Sequence, residues 1–168
     1  MKNYVCQPKK ERKTCIFLCL VLLFLSATAF FLSTYMAAFR ALGQTVSVIF
    51  LLLFVQLSAK FLLTEYVYTF EGDKFYLSTR QGKKKKDLGH VPLSAEVKLF
   101  TKKEWEEKKE NFSVKHRFSY CQNLFSKNES YLIFSQEETL SLLVFEPDEK
   151  LLSLLKERIE NTVSAFKD

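Results

Sequence analysis

Polar and apolar positions are segregated along this chain rather than interleaved. From Thr14 to Phe39 no residue carries a charge, and none does from Ala41 to Ala59; Arg40 alone stands between the two runs. A helix needs about 20 apolar residues to cross a hydrocarbon core of roughly 30 Å, and each run is long enough. Neither keeps the polar stripe that a helix buried in a globular core usually shows. The pattern predicts transmembrane helices over residues 14–39 and 40–64, the second including its preceding turn, behind a basic flank at residues 1–13. Lys60 is expected to snorkel to the interface, with Phe61-Leu62-Leu63 completing the last turn. The link around Ala38 to Gln44 is short and contains Gly43, which predicts a tight turn and an antiparallel pair. The small residues between Leu25 and Ala29 look like a signal-peptide cleavage site, but the apolar run continues past them, so the first span is read as retained.

At Glu65 the texture changes to short alternating segments, and residues 65–168 read as one soluble domain with a core of its own. Tyr66 to Phe70 and Lys74 to Gln81 are joined by the turn signal Glu71-Gly72-Asp73, and Gln81-Gly82 leads into a third strand from Lys83 to Leu93. Ser94 to Phe100 reads as a fourth strand with Ala95, Val97 and Leu99 inward, and Lys102 to Asn111 as a short exposed helix or loop around Trp105. Ser113 to Cys121, Tyr131 to Ser135 and Leu140 to Glu146 alternate again, the last two joined by the polar turn Gln136-Glu137-Glu138. After Pro147-Asp148 the period lengthens: Leu151, Leu152, Leu155, Ile159, Val163 and Phe166 make the apolar stripe of one amphipathic helix.

About seven antiparallel strands closed by a C-terminal amphipathic helix is a recognisable order. With the two-span hairpin, the stretch Leu62-Leu-Thr-Glu-Tyr-Val-Tyr-Thr-Phe-Glu-Gly-Asp73 and the closing Phe145-Glu-Pro-Asp-Glu-Lys-Leu-Leu152, residues 14–168 resemble small bacterial membrane proteins with a pleckstrin-homology-like (PH-like) cytoplasmic domain. The resemblance implies a bent all-β sandwich or barrel plugged by that helix. It implies a role in binding rather than catalysis and carries over no functional residues.

Charge then sets the orientation. Lys2, Lys9, Lys10, Arg12 and Lys13 precede the first span and Lys60, Lys74, Arg80 and the lysine run follow the second, whereas the turn holds only Arg40. Basic flanks stay inside, which predicts a multi-pass protein of the cell membrane with both termini and the soluble domain cytoplasmic. Asn111-Phe-Ser and Asn128-Glu-Ser match the glycosylation triplet and pull the other way, but a cytoplasmic domain never meets the transferase. The net charge of +6 is concentrated beside the spans instead of being interleaved with aromatics, so nucleic acid is not an expected partner.

Candidate chemistry is sparse. The four cysteines (Cys6, Cys15, Cys19 and Cys121) offer no pair within the soluble domain, and His90 and His116 are isolated, so neither a disulfide framework, a metal nor a cofactor is expected. Cys121 and His116 are five apart on a strand, which points them to opposite faces. Glu106, Glu107 and Glu110 are surrounded by lysines and read as a solvated helical face. Two candidate binding surfaces remain: Trp105 with Phe112, and the basic run Arg80, Lys83, Lys84, Lys85 and Lys86, close enough to the second span to touch anionic headgroups weakly. The reading is a non-enzymatic, membrane-anchored PH-like module that presents a surface to lipid or to a membrane or cytoplasmic protein. The alternative is an accessory subunit recruited through its spans, with Ser26, Ser33, Gln44 and Gln56 bonding to neighbouring helices.

Overall fold

The computed structural model describes residues 3–35, 40–94, 96–126, 128–136 and 139–165. Ala95, the Glu137–Glu138 turn, Phe166 and the Val163 side chain lie outside what is described, as does part of the link between the long helices. The chain forms two units: a helical one, Lys10–Thr64, and a β unit that joins Met1–Lys9 to Glu65–Asp168.

The helical unit is a pair of helices, α1 (Arg12–Tyr35) and α2 (Arg40–Leu57), the second continued by a π-helical turn over Ser58–Leu63. Both are long and apolar enough to cross a membrane. Their large side chains face outward, with Phe17, Phe24, Phe31, Leu42 and Leu52 among those exposed. What they bury is mostly small: Cys15, Cys19, Leu22, Ser26 and Ser33 on α1 and Ser47 on α2. These recur at the three- and four-residue steps of a helix–helix seam. Ser26 Oγ donates to the Ser47 carbonyl at 3.0 Å, and Cys19 Sγ lies 3.4 Å from Ser58 Oγ. Gly43, expected in the turn, is instead inside α2. A Cβ there would stand 2.5 Å from Ser33 Cβ and 3.3 Å from the Ala29 carbonyl oxygen, so its glycine serves close packing.

In the β unit, β2 (Glu65–Glu71), β3 (Lys74–Gln81) and β4 (Lys84–Pro92) form the expected meander. Burial alternates along β2, with Tyr66, Tyr68 and Phe70 inward. Gly72 (φ 60°) and Gly82 (φ 58°) supply the left-handed residues of the two tight turns. A bulge at Leu77/Ser78 shifts the β3–β4 register. The second sheet contains β5 (Lys98–Thr101), β6 (His116–Ser119), β7 (Ser130–Gln136) and β8 (Thr139–Phe145), in the order β5-β7-β8-β6. A short helix α3 (Lys102–Lys108) follows β5, and α4 (Glu149–Ala165) closes the chain. Tyr68, Phe75 and Leu77 from one sheet meet Leu132, Leu143 and Phe145 from the other and Leu151 and Leu155 from α4 in one core.

Three expectations are corrected. The flank at residues 1–13 contains a strand, β1 (Tyr4–Cys6), which pairs antiparallel with β2: Tyr4 with Phe70, Val5 with Thr69, Cys6 with Tyr68. Residues 65–168 therefore lack one strand of their own first sheet. The second sheet is not wholly antiparallel, because β6 runs parallel to β8. After β6 the chain reverses into β7, two places further in, which leaves β8 to fill the gap between them in the direction of β6. Trp105 is half-buried rather than exposed, stacked on Tyr131 at 5.6 Å and grouped with Phe100 and Phe112 on the outer face of the second sheet.

Candidate functional site

Register places the basic run. Glu65, where the chain leaves the helical unit, pairs with Arg80, and Arg80 pairs with Lys85. Neighbouring strands lie about 4.8 Å apart, so Lys85 stands about 10 Å across the sheet from Glu65. Gly82 and Lys83 form the turn and project one to two residues beyond that line, about 3–7 Å. Lys84, Lys85 and Lys86 are exposed and lie on β4, the edge strand of its sheet. Among the described residues Lys85 pairs with Asp87, at 3.9 Å on the surface, which contributes little. All five basic residues singled out in the sequence thus gather at the end of the β unit where the chain comes and goes. Charge on an edge strand also deters edge-to-edge pairing with other chains.

The N-terminal segment reaches the same end. Gln7 Nε2 donates to Glu65 Oε2 at 3.1 Å, and the Lys9 carbonyl accepts from Asn123 Nδ2 at 2.9 Å. Asn123 also donates to the buried Glu146 carboxylate from its backbone N–H at 3.2 Å and from Nδ2 at 2.9 Å. Beside it, Gln122 Oε1 accepts from the Tyr66 N–H at 2.9 Å, and the Tyr68 hydroxyl donates to the Tyr120 carbonyl at 2.6 Å. Burial pushes the Glu146 carboxyl above its ordinary 4.5, against the opposing pull of donors from Ser126, Asn123 and Gln122. Burial likewise raises Tyr68.

At the far end of β1, the Tyr4 hydroxyl donates to Asp148, which caps α4 by accepting from the Leu151 N–H at 2.7 Å. That bond, first, and then desolvation push Tyr4 up to about 12. Desolvation pushes the buried Cys6 thiol up to about 11, which keeps it protonated and inert at neutral pH.

Other sequence candidates separate. Cys121 is buried with Phe100, Tyr131 and Val144, whereas His116 is exposed and stacked on Phe118. Glu106, Glu107 and Glu110 are exposed on and just after α3, while Glu104, lowered by hydrogen bonds from Thr101, closes its capping box. Among the described residues no group of three metal-binding side chains comes together. A cleft of about 450 Å³ opens beside Leu88, Val91, Phe118 and Phe134, and a hollow of about 330 Å³ beside the Gly72–Asp73 turn, where Arg158 pairs with Asp73. Comparison with known protein families, with curated proteins and with solved structures finds no match to this chain.

Proposed function

We propose that this protein is a non-enzymatic membrane-anchored module: a two-helix hairpin in the bilayer holds a β unit against one membrane face, with Arg80 and Lys83 to Lys86 toward anionic headgroups. The observation that carries this is the Glu65–Arg80–Lys85 register, which sets the basic turn at the end where the chain leaves the hairpin. Each basic residue near an anionic surface contributes about 1 kcal/mol. Because the hairpin already tethers the unit, the contact orients it rather than recruiting it.

The continuous exposed apolar surface of α1 and α2 supports their placement in lipid, since soluble proteins rarely expose so large an apolar patch. The segments flanking the hairpin, residues 1–9 and 65 onward, both belong to the β unit, which supports one side of the membrane for both, and the basic flanks favour the cytoplasmic side. The two sheets and closing helix suit a PH-like domain, from which the parallel seat of β6 and the strand contributed by residues 4–6 are departures. The accessory-subunit reading is weakened because Ser26 and Ser33, which were to bond to neighbouring helices, are buried within the hairpin's own seam.

The test is lysine acylation by a membrane-impermeant reagent, read by mass spectrometry on sealed inside-out vesicles. With anionic lipid, Lys83 to Lys86 should be protected and high salt should restore their reactivity; Lys74 and Lys150, at the other end of the unit, should react throughout. Equal reactivity of the two sets removes lipid contact, and labelling of Lys74 in intact cells reverses the topology.

A further inference from the structure

The loop between β6 and β7 carries a feature that neither the core nor the basic turn explains. Phe125 is 69% exposed, more than any other large apolar side chain among the described residues of the β unit; Val5 follows at 60%. A single exposed phenylalanine is ordinary. Its position and support are not. The two residues ahead of Leu124 are bonded to the two strands of chain that run to and from the hairpin: Gln122 to the Tyr66 N–H, and Asn123 to the Lys9 carbonyl. Lys9 is three residues before α1 begins, and Tyr66 is three residues after the π-helical turn ends. Phe125 is two residues beyond Asn123, a reach of at most about 7 Å of backbone.

The start of the loop is also tied to the body of the unit. The Glu146 carboxylate takes hydrogen bonds from Asn123 and from the Ser126 hydroxyl, on either side of Phe125, and is itself buried to 5% exposure. Burying a carboxylate costs free energy unless its bonds are satisfied, so this clamp ties the loop at a cost that a merely solvated loop would not need. Its effect is to hold an aromatic ring out from the body of the unit, beside the point where the chain enters the membrane.

We infer that Phe125 is an interfacial lipid anchor, its ring seated among the headgroups and upper acyl chains. Aromatic rings at this depth bury apolar surface without crossing the bilayer. The inference rests on the membrane-anchored reading above and adds a second contact to it. The ligand is the lipid interface itself, with no headgroup selected. The basic turn and this ring together give two separate points of contact around the tether, which is what fixing a tilt requires.

The test uses the full chain reconstituted in vesicles of brominated and ordinary phosphatidylcholine, with single added tryptophans. Phe125→Trp should lose emission in brominated lipid to an extent comparable with Leu52→Trp on the exposed apolar face of α2, and should resist aqueous iodide. Glu71→Trp, at the far turn, should behave oppositely; the native Trp105 supplies a common background that the parent protein measures. If Leu52→Trp is quenched by bromine and Phe125→Trp only by iodide, the anchor is overturned while the membrane reading stands. If Leu52→Trp is itself quenched by iodide alone, the membrane reading fails first. Retention of the parent circular-dichroism spectrum by Phe125→Trp assures that a negative result reports on the ring and not on misfolding.

Discussion

Removing β1 tests whether the domain is truly built from two pieces of chain. Consider two soluble proteins, one starting at Glu65 and one in which residues 3–9 are joined to residue 65 by Asn-Gly. The join is geometrically natural: Cys6 lies opposite Tyr68, and three further residues on each strand bring Lys9 opposite Glu65, a hairpin end that a two-residue turn closes. The difference between the proteins is the contribution of β1. It consists of three residue pairs with β2, a Cys6 side chain left 2% exposed, and the Tyr4 hydroxyl bonded to the carboxylate that caps α4. Strand bonds at about 1 kcal/mol each and about 1 kcal/mol for the cysteine sum to about 4 kcal/mol, with the solvent-exposed Tyr4 bond to Asp148 besides; ordering three residues opposes this with about 1 kcal/mol each. The net is about 1 kcal/mol before the Tyr4 bond is counted, an appreciable share of a total stability of about 5–15 kcal/mol.

Thermal unfolding by circular dichroism reads that difference as a fall in Tm of roughly 5 °C in the protein that starts at Glu65. That protein should also aggregate more readily, because the edge of β2 is left open. Restoring Tyr4 as Phe in the joined protein should recover most, but not all, of the loss. Identical melting curves and identical denaturant slopes for the two proteins would refute the reasoning and return β1 to the status of a solvated flank.

Two further outcomes follow from the interior of each unit. Gly43→Leu forces a side chain into Ser33 and the Ala29 carbonyl, which should cost about 1–3 kcal/mol by overpacking and lower the melting temperature of the helical signal in micelles, with Gly43→Ala intermediate; unchanged melting would mean the helices are not in contact there. Glu146 has its carboxyl raised above 4.5 by burial, so the folded state holds its proton more tightly than the unfolded one. Its contribution to stability is therefore present at low pH and lost as pH rises from 4.5 through the folded value; Glu146→Gln should abolish that slope in denaturant titrations, and an undiminished slope would assign it to another group.

The parts that were legible are those whose period coincides with burial. The uncharged runs gave both long helices, the alternation from Tyr66 to Phe70 gave β2, and Leu151 and Leu155 on the last stripe became fully buried. β1 was hidden because Tyr4-Val5-Cys6 is too short to show a period and its partner lies beyond both apolar helices. Alternation identified β6 as a strand but carries no information about direction, so its parallel seat beside β8 could not be read. The apolar residues around Trp105 were masked by lysines and glutamates on the outer side of the same short helix. For the basic run the residues were evident and the placement was not, since it depends on Arg80 standing opposite Glu65. Phe125 gave no signal at all, because only the bonds of Gln122 and Asn123 locate its loop.

The insertion has an energetic consequence for how the pieces assemble. Treated as a flexible loop, residues 10–64 would make closure of the β1–β2 ladder about 3 kcal/mol harder than a two-residue turn does. Packed as a helix pair they cease to be a flexible loop. Within the helical unit, Lys10 Nζ donates to the Leu62 carbonyl at 2.8 Å and to the Thr64 carbonyl at 3.2 Å, which brings the first and last residues of the insertion together. The assembled hairpin thus acts as a very long turn, and the contacts of Ser26, Ser47 and Gly43 offset the closure cost of β1. Anything that separates α1 from α2 restores that cost, loosens β1, and frees Tyr4 from the cap of α4. The stability of the β unit in the whole chain is therefore linked to the packing of the spans through chain entropy alone, with no further contact between the two units required.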